Sequence, residues 1–152
     1  MELDSMKLEN QIQKYMLLPL KKLMKIADKE FQLLRRMEVS DENGYVQCFC
    51  CPNSKAKYKH YKLVDSGHFI PRGHYGTRYD PRNVHPQSKH CNLYLAGNHA
   101  AFRDEMVKTF GKRTVEEMEA IKDKTPQPWR EFVIGVILDS RAKIKELKKK
   151  GL

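Results

Sequence analysis

From Leu3 to Met37 the apolar residues recur at three- and four-residue steps, the period of a helix with one buried face. Pro19 interrupts the stretch, because proline lacks an N–H and clashes with the preceding turn, so two helices are expected. The second should bury Leu20, Leu23, Met24, Ala27, Phe31 and Leu34. "DENGY" at 41–45 reads as a turn, since Asn-Gly favours positive φ, and "YVQC" as a short strand running into a cysteine knuckle. Residues 52–62 are polar and read as a loop, whereas "YKLVDSGHFI" is strand-like. "PRGHYGTRYDPRN" is rich in Gly and Pro, so an irregular loop is expected there, carrying Arg72, Arg78 and Arg82.

Beyond Cys91 the helical period returns. Phe102, Met106, Val107 and Phe110 share one face, and Gly111 suits a C-cap. Thr114 to Lys122 reads as a short helix, with Thr114 as N-cap and Glu117 completing a capping box. A last helix beginning near Pro128 should bury Trp129, Phe132, Val133, Val136, Ile137 and Ile144 before it becomes a Lys-rich arm. The helical spacing of the Trp and Phe marks them as core anchors, not base-stacking groups. The expected fold class is α+β and mostly helical. A small, irregular ββ-plus-loop centre would be clamped by helices on both sides. One domain spans 1–152, with N-terminal helices over 1–40, the centre over 42–111, and C-terminal helices with a basic tail over 112–152.

Charge changes the picture. The chain carries 29 Lys and Arg against 19 Asp and Glu, a net charge of +10. The excess is uneven: residues 103–131 are balanced, while residues 55–91 hold eight basic groups, two acidic ones and five of the six His. "RAKIKELKKK" adds six basic residues at 141–150. Such clustering points to a polyanion, above all nucleic acid. No apolar run approaches the ~20 residues of a membrane span, and the polar, acidic "MELDSMKLEN" does not read as a signal peptide. A cytoplasmic location is expected.

In such a compartment four cysteines argue for a metal site over disulfides. Cys48 and Cys51 have C-x-x-C spacing, and two thiolates on one tight turn can bind one tetrahedral zinc. Cys91 would belong to a second knuckle, but Ser88 stands where its partner cysteine is expected. The fourth ligand is then open among Cys50, His90, His85, His60 and water.

"DSGHF", "RYDPRNVHPQ", "CN" and "GN" follow in order between Asp65 and Asn98. Phosphodiester hydrolysis needs a base for water, which imidazole suits near neutral pH, and a divalent ion to neutralise charge on phosphate and leaving oxygen. Hard ions take oxygen ligands, which Asp and Asn supply. Arg side chains grip phosphates bidentately.

Together with "ENGYVQC" and the C-x-x-C pair, this series resembles the HNH, or His-Me finger, nucleases with their ββα-metal motif. Within them it is most similar to the phage NinG (Rap) recombination proteins. The motifs cover about residues 42–98. The resemblance implies that His68 is the general base, that Asn83 braces the active-site loop, and that Asn92 ligates a catalytic Mg²⁺ or Mn²⁺. Most relatives place an acid immediately before the base, where this chain has Gly67; Asp65 is the expected second ligand, with Asn98 and His85 in reserve. Zn²⁺ would be structural, held by Cys48, Cys51 and Cys91. The implied activity is a metal-dependent endonuclease on branched recombination intermediates such as Holliday junctions and D-loops, working as a homodimer. Its competitors are an HNH nicking or restriction-type enzyme on duplex DNA, and a non-catalytic zinc-stapled DNA-binding module.

Overall fold

Leu23, Met24, Ala27, Phe31, Leu34 and Met37 form one buried stripe along helix α2 (Leu20–Glu38), and the rest of the fold is organised around it. The computed structural model describes residues 1–122 and 124–152. Helix α1 (Glu2–Met16) precedes Pro19 and buries only Tyr15. Helix α5 (Arg130–Lys149) returns from the far end of the chain to pack along α2. Val133, Ile134 and Ile137 meet Leu23, Met24 and Ala27 there. The N- and C-terminal helices therefore form one layer together, on the same side of the centre.

The centre holds two antiparallel two-stranded sheets. β1 (Tyr45–Gln47) pairs with β2 (Tyr58–His60), Val46 opposite Lys59. β3 (Asp65–His68) pairs with β4 (Val84–Gln87), Gly67 opposite His85. A π-helical turn (His90–Tyr94) leads into α3 (His99–Phe110), and α4 (Lys112–Ile121) packs beside it. Phe102, Met106, Val115 and Met118 close the second layer over Phe69, Ile70 and the buried cysteines. Leu34, Met37, Val46, Tyr61, Val64 and Ile144 join the first layer to the first sheet. The protein is thus α+β and mostly helical, with its small sheets held between two helical layers.

Several expectations change. Residues 52–62 are not all loop: β2 lies within them, and its polar Tyr-Lys-His triplet pairs without burying an apolar face. Only Asp65–His68 of "YKLVDSGHFI" is strand, because Tyr61–Leu63 closes into a 3₁₀ turn. Thr114 is not an N-cap. α4 starts two residues earlier, directly after Gly111, whose φ of 87° both ends α3 and turns the chain into α4. Trp129 and Phe132 are not core anchors: they are 76% and 56% exposed at the start of α5, where Ile134 is buried instead. The "DENGY" turn forms, with Gly44 at φ 82° and Asp41 Oδ1 accepting from the backbone N–H of Asn43 and Tyr45. Among the described residues, no helix is long and apolar enough to cross a membrane.

Candidate active site and metal centre

β3 delivers Asp65, Ser66 and His68 to one cleft of about 470 Å³, also lined by Gln32 and Arg36 of α2 and by Arg72 and Asn92. Its walls come from four separate segments, so the cleft exists only once the helical layer has docked on the second sheet. Asn92, inside the π-helical turn, donates from Nδ2 to Asp65 Oδ2 at 3.0 Å, and Lys89 Nζ lies 3.2 Å from Asp65 Oδ1. Arg36 holds the strand from the other side, donating to Ser66 Oγ at 2.7 Å and to the Tyr61 carbonyl. Burial lowers its pKa, against the opposing pull of Asp65.

Burial pushes the His68 imidazole down to about 4, and the nearby Arg72 guanidinium pushes the same way. The ring is therefore neutral at pH 7, the form able to accept a proton. Asn83 sits behind it, fully buried. Its Oδ1 accepts from the Ile70 N–H at 2.8 Å, its Nδ2 donates to the Ile70 carbonyl at 3.0 Å, and its own carbonyl accepts from Phe69 N–H. One carboxamide thus clamps the backbone just beyond His68 as a ladder of strand hydrogen bonds would. Asn83 touches no part of the cleft and acts on His68 only through that backbone.

The three arginines of the irregular loop separate. Arg72 lines the cleft, with a side chain 55% exposed and 3.5 Å from Asp28. Arg78 is bound bidentately to the buried Asp28, at 2.9 and 2.6 Å. Arg82 pairs with Asp80 at 2.7 Å. His85 lies outside the cleft, stacked on Phe49 with centroids 4.0 Å apart and with Nε2 2.7 Å from the Arg82 carbonyl.

Where the chain leaves β1 and β4, the Sγ atoms of Cys48, Cys51 and Cys91 lie within 4.8 Å of one another. Ser88 occupies the remaining side. Its N–H donates to Cys48 Sγ at 3.2 Å, and its Oγ accepts from the Cys91 N–H. Hydrogen bonds, first from the Cys50 thiol and then from Ser88, hold the Cys48 thiol well below the ordinary range, which favours the thiolate a metal needs. Lys57 Nζ adds positive charge 3.2 Å from Cys51 Sγ. Cys50 stands outside the sulfur triad: its thiol meets Cys48 and accepts from Gln87 Nε2 at 3.0 Å, and Cys48 and burial push it up. His90 is exposed and faces Tyr94. Three sulfurs gathered this closely can hold a metal such as zinc, and the donor set fits a soft, tetrahedral ion.

The family model described as Bacteriophage Lambda NinG protein matches residues 2–150. The chain belongs to the NinG family. Its relatives include the proteins called ninG of Enterobacteria phage H19B, Escherichia phage 933W and Enterobacteria phage VT2-Sa. Each is 36% identical over 55 residues, covering 32% of this chain and 27% of the relative. The chain thus matches about a quarter of the length of these relatives. No solved structure matches.

In this NinG-family chain the cleft gathers His68, Asp65, Asn92 and Arg72 of the residues singled out from sequence, and leaves out Arg78, Arg82, His85 and the buried Asn83. Asn98 is in the left-handed region at φ 46° and precedes α3 without a side-chain cap, its Nδ2 3.6 Å from Cys91 Sγ. Gln32 and Arg36 were invisible as site residues. Both sit on the polar flank of an amphipathic helix, and only the docking of α2 on β3 turns that flank into a wall. Gly67 has a local reason: a Cβ there would lie 2.1 Å from Gln87 Oε1 and 3.0 Å from the Phe102 ring.

Proposed function

We propose that the protein is a metal-dependent endonuclease of the HNH, His-Me finger type, acting on DNA, with branched recombination intermediates as its substrate class. The observation that carries this reading is the convergence of His68, Asp65 and Asn92 on a single cleft bordered by Arg36 and Arg72. The order β3, β4, turn, helix that presents them supports the ββα-metal assignment. The residues fit a hard divalent ion. Asp65 offers carboxylate oxygens and Asn92 an amide oxygen, since its Nδ2 is the atom facing Asp65.

Neutral His68 accepts a proton from water as the water oxygen attacks phosphorus and the bond to the sugar oxygen breaks. Asp65 and Asn92 would hold Mg²⁺ or Mn²⁺, which would supply charge neutralisation at the phosphate and leaving oxygen. Arg72 and Arg36 orient the phosphate in the cleft by charge and hydrogen bonding. Asn83 keeps the backbone beyond His68 from shifting. Cys48, Cys51 and Cys91 would hold Zn²⁺, which would tie the connection between β1 and β2 to the turn that carries Asn92. Paired cuts across a branch need two active sites, so a homodimer acting in the host cytoplasm belongs to the same reading.

The test compares the protein with His68→Ala on four-way, D-loop and linear DNA, with Mg²⁺, Mn²⁺ or EDTA. Metal-dependent cutting that disappears with His68 is expected; cutting that survives the substitution sinks the base assignment. One observation favours a second reading, a zinc-stapled DNA-binding module. Asp65 is already satisfied by Lys89 and Asn92, a network that needs no ion. Metal-independent binding without cleavage on any substrate would select it.

A further inference from the structure

Leu93, Tyr94 and Leu95 project into solvent at 64%, 82% and 46% exposure, immediately after Asn92. Three adjacent large apolar side chains left in water lose the stabilisation of burial. The segment is not a loose loop. Asn92 N–H donates to Ser88, Leu95 N–H to His90, Gly97 N–H to Cys91 and Asn98 N–H to Leu95, at 2.8 to 3.0 Å. Gln87 Nε2 pins the Gly97 carbonyl at 2.6 Å from beneath. Ala96, Gly97 and Asn98 are all at positive φ, a conformation that alanine adopts at steric cost, and this folds the chain back sharply behind the tip. Cys91, at the foot of the turn, is anchored in the sulfur cluster. The backbone is therefore held so that the three side chains point outward as a fixed edge.

That edge borders the cleft, since Asn92 on one side of it and Ala96 and Gly97 on the other line the cleft wall. Its surroundings are basic, with Lys89, Arg36 and Arg72 close to the same opening. A phosphate backbone drawn in by those charges brings its bases against the edge. Paired, stacked bases offer no apolar face to an aromatic ring; bases at a branch, nick or gap do, and stacking on them is sequence-tolerant.

We infer that Leu93, Tyr94 and Leu95 form a wedge that takes an unpaired nucleobase, with the Tyr94 ring as its stacking surface, and so directs the adjacent cleft to DNA where pairing is interrupted. The wedge rests on the reading of the cleft as a DNA site, but not on its catalytic chemistry. Fluorescence anisotropy of the full chain, with Ca²⁺ in place of Mg²⁺ or Mn²⁺ and no chelator, on His68→Ala so that no cutting occurs, measures affinity for a four-way junction, a gapped duplex and an intact duplex. Stacking is worth about 1–3 kcal/mol per base, so Tyr94→Ala should weaken junction and gap binding by roughly tenfold and duplex binding by less than twofold. Tyr94→Phe, which keeps the ring, should bind as the unaltered chain does.

Equal loss on all three DNAs, or no loss with the Leu93→Ala/Tyr94→Ala pair, overturns the wedge. So does a fall in oligomeric mass with Tyr94→Ala, which would make a second copy the occupant of the edge. Tyr94 is exposed, so its removal leaves folding intact, and an unchanged Tm checks this. If binding depends on Tyr94 while His68→Ala leaves cleavage untouched, the base assignment fails and the wedge stands. If cleavage depends on His68 while binding ignores Tyr94, the reverse holds.

Discussion

Asn92 and Asp65, twenty-seven residues apart, meet side chain to side chain at 3.0 Å. The contact joins β3 to the turn after β4 and sets a carboxylate beside an amide oxygen in the wall of the cleft. Asp65→Asn removes the negative charge, keeps the shape, and replaces one hydrogen-bond acceptor by a donor facing the Asn92 Nδ2. Mn²⁺ affinity, read by titration calorimetry, should fall at least tenfold, and cleavage should fall with it. Unaltered Mn²⁺ binding would remove Asp65 from the ligand set.

Ser88 is the residue nearest to completing the sulfur site, in contact with both Cys48 and Cys91. A hydroxyl stays protonated near neutral pH and is a poor zinc ligand, whereas a thiolate at the same place would close a Cys₄ site. Ser88→Cys should therefore bind one Zn²⁺ per chain and release it to a chelator at least tenfold more slowly than the unaltered chain. Native mass spectrometry and a chelator competition measure both quantities. Equal release rates would show that the added sulfur does not reach the ion.

Much of this arrangement was legible in the sequence, for identifiable reasons. The stripe of α2 could be read because burial there follows a strict helical period. The same rule failed for Trp129 and Phe132, since periodicity says which residues share a face and not whether anything covers it. Arg78 looked like a phosphate contact because its partner, Asp28, lies fifty residues upstream and is buried on a helix read only for its apolar face. His68, Asp65 and Asn92, singled out by residue type, order and resemblance, do line one cleft. Gln32 and Arg36, which reach the cleft by tertiary docking alone, carried no local signal.

Two buried imidazoles make stability depend on pH in a defined direction. His68 and His85 have folded pKa values near 4, below the ordinary 6.5, chiefly through burial. Between these values the unfolded chain binds more protons, so their contribution is complete above pH 6.5 and is lost as pH falls to about 4. At 1.36 kcal/mol per unit, each is worth on the order of 3 kcal/mol. His85→Gln removes one of the two without touching the cleft. Its urea midpoint should fall less than that of the unaltered chain between pH 7 and pH 4.5. Parallel declines would mean that His85 is not buried neutral.

Gly67 and Gln87 explain why the position before His68 carries no acid here. The Gln87 side chain is fully buried, with Nε2 spent on Gly97 and Cys50, and its Oε1 is directed at the space a Cβ of residue 67 would fill. Gly67→Ala would place that carbon 2.1 Å from Oε1, an overlap that must displace a side chain held at its far end by two contacts. Forcing extra volume into a packed core costs about 1–3 kcal/mol. In a Gln87→Ala background the obstacle is gone, so the same substitution should cost less than about 0.5 kcal/mol if Phe102 gives by a few tenths of an ångström. A double-mutant cycle by urea unfolding measures the coupling. Additive losses would locate the glycine requirement in the strand backbone, and a large coupling would locate it in the Gln87 carboxamide. The second outcome also predicts that an acid at 67 is tolerated only once Gln87 has been shortened.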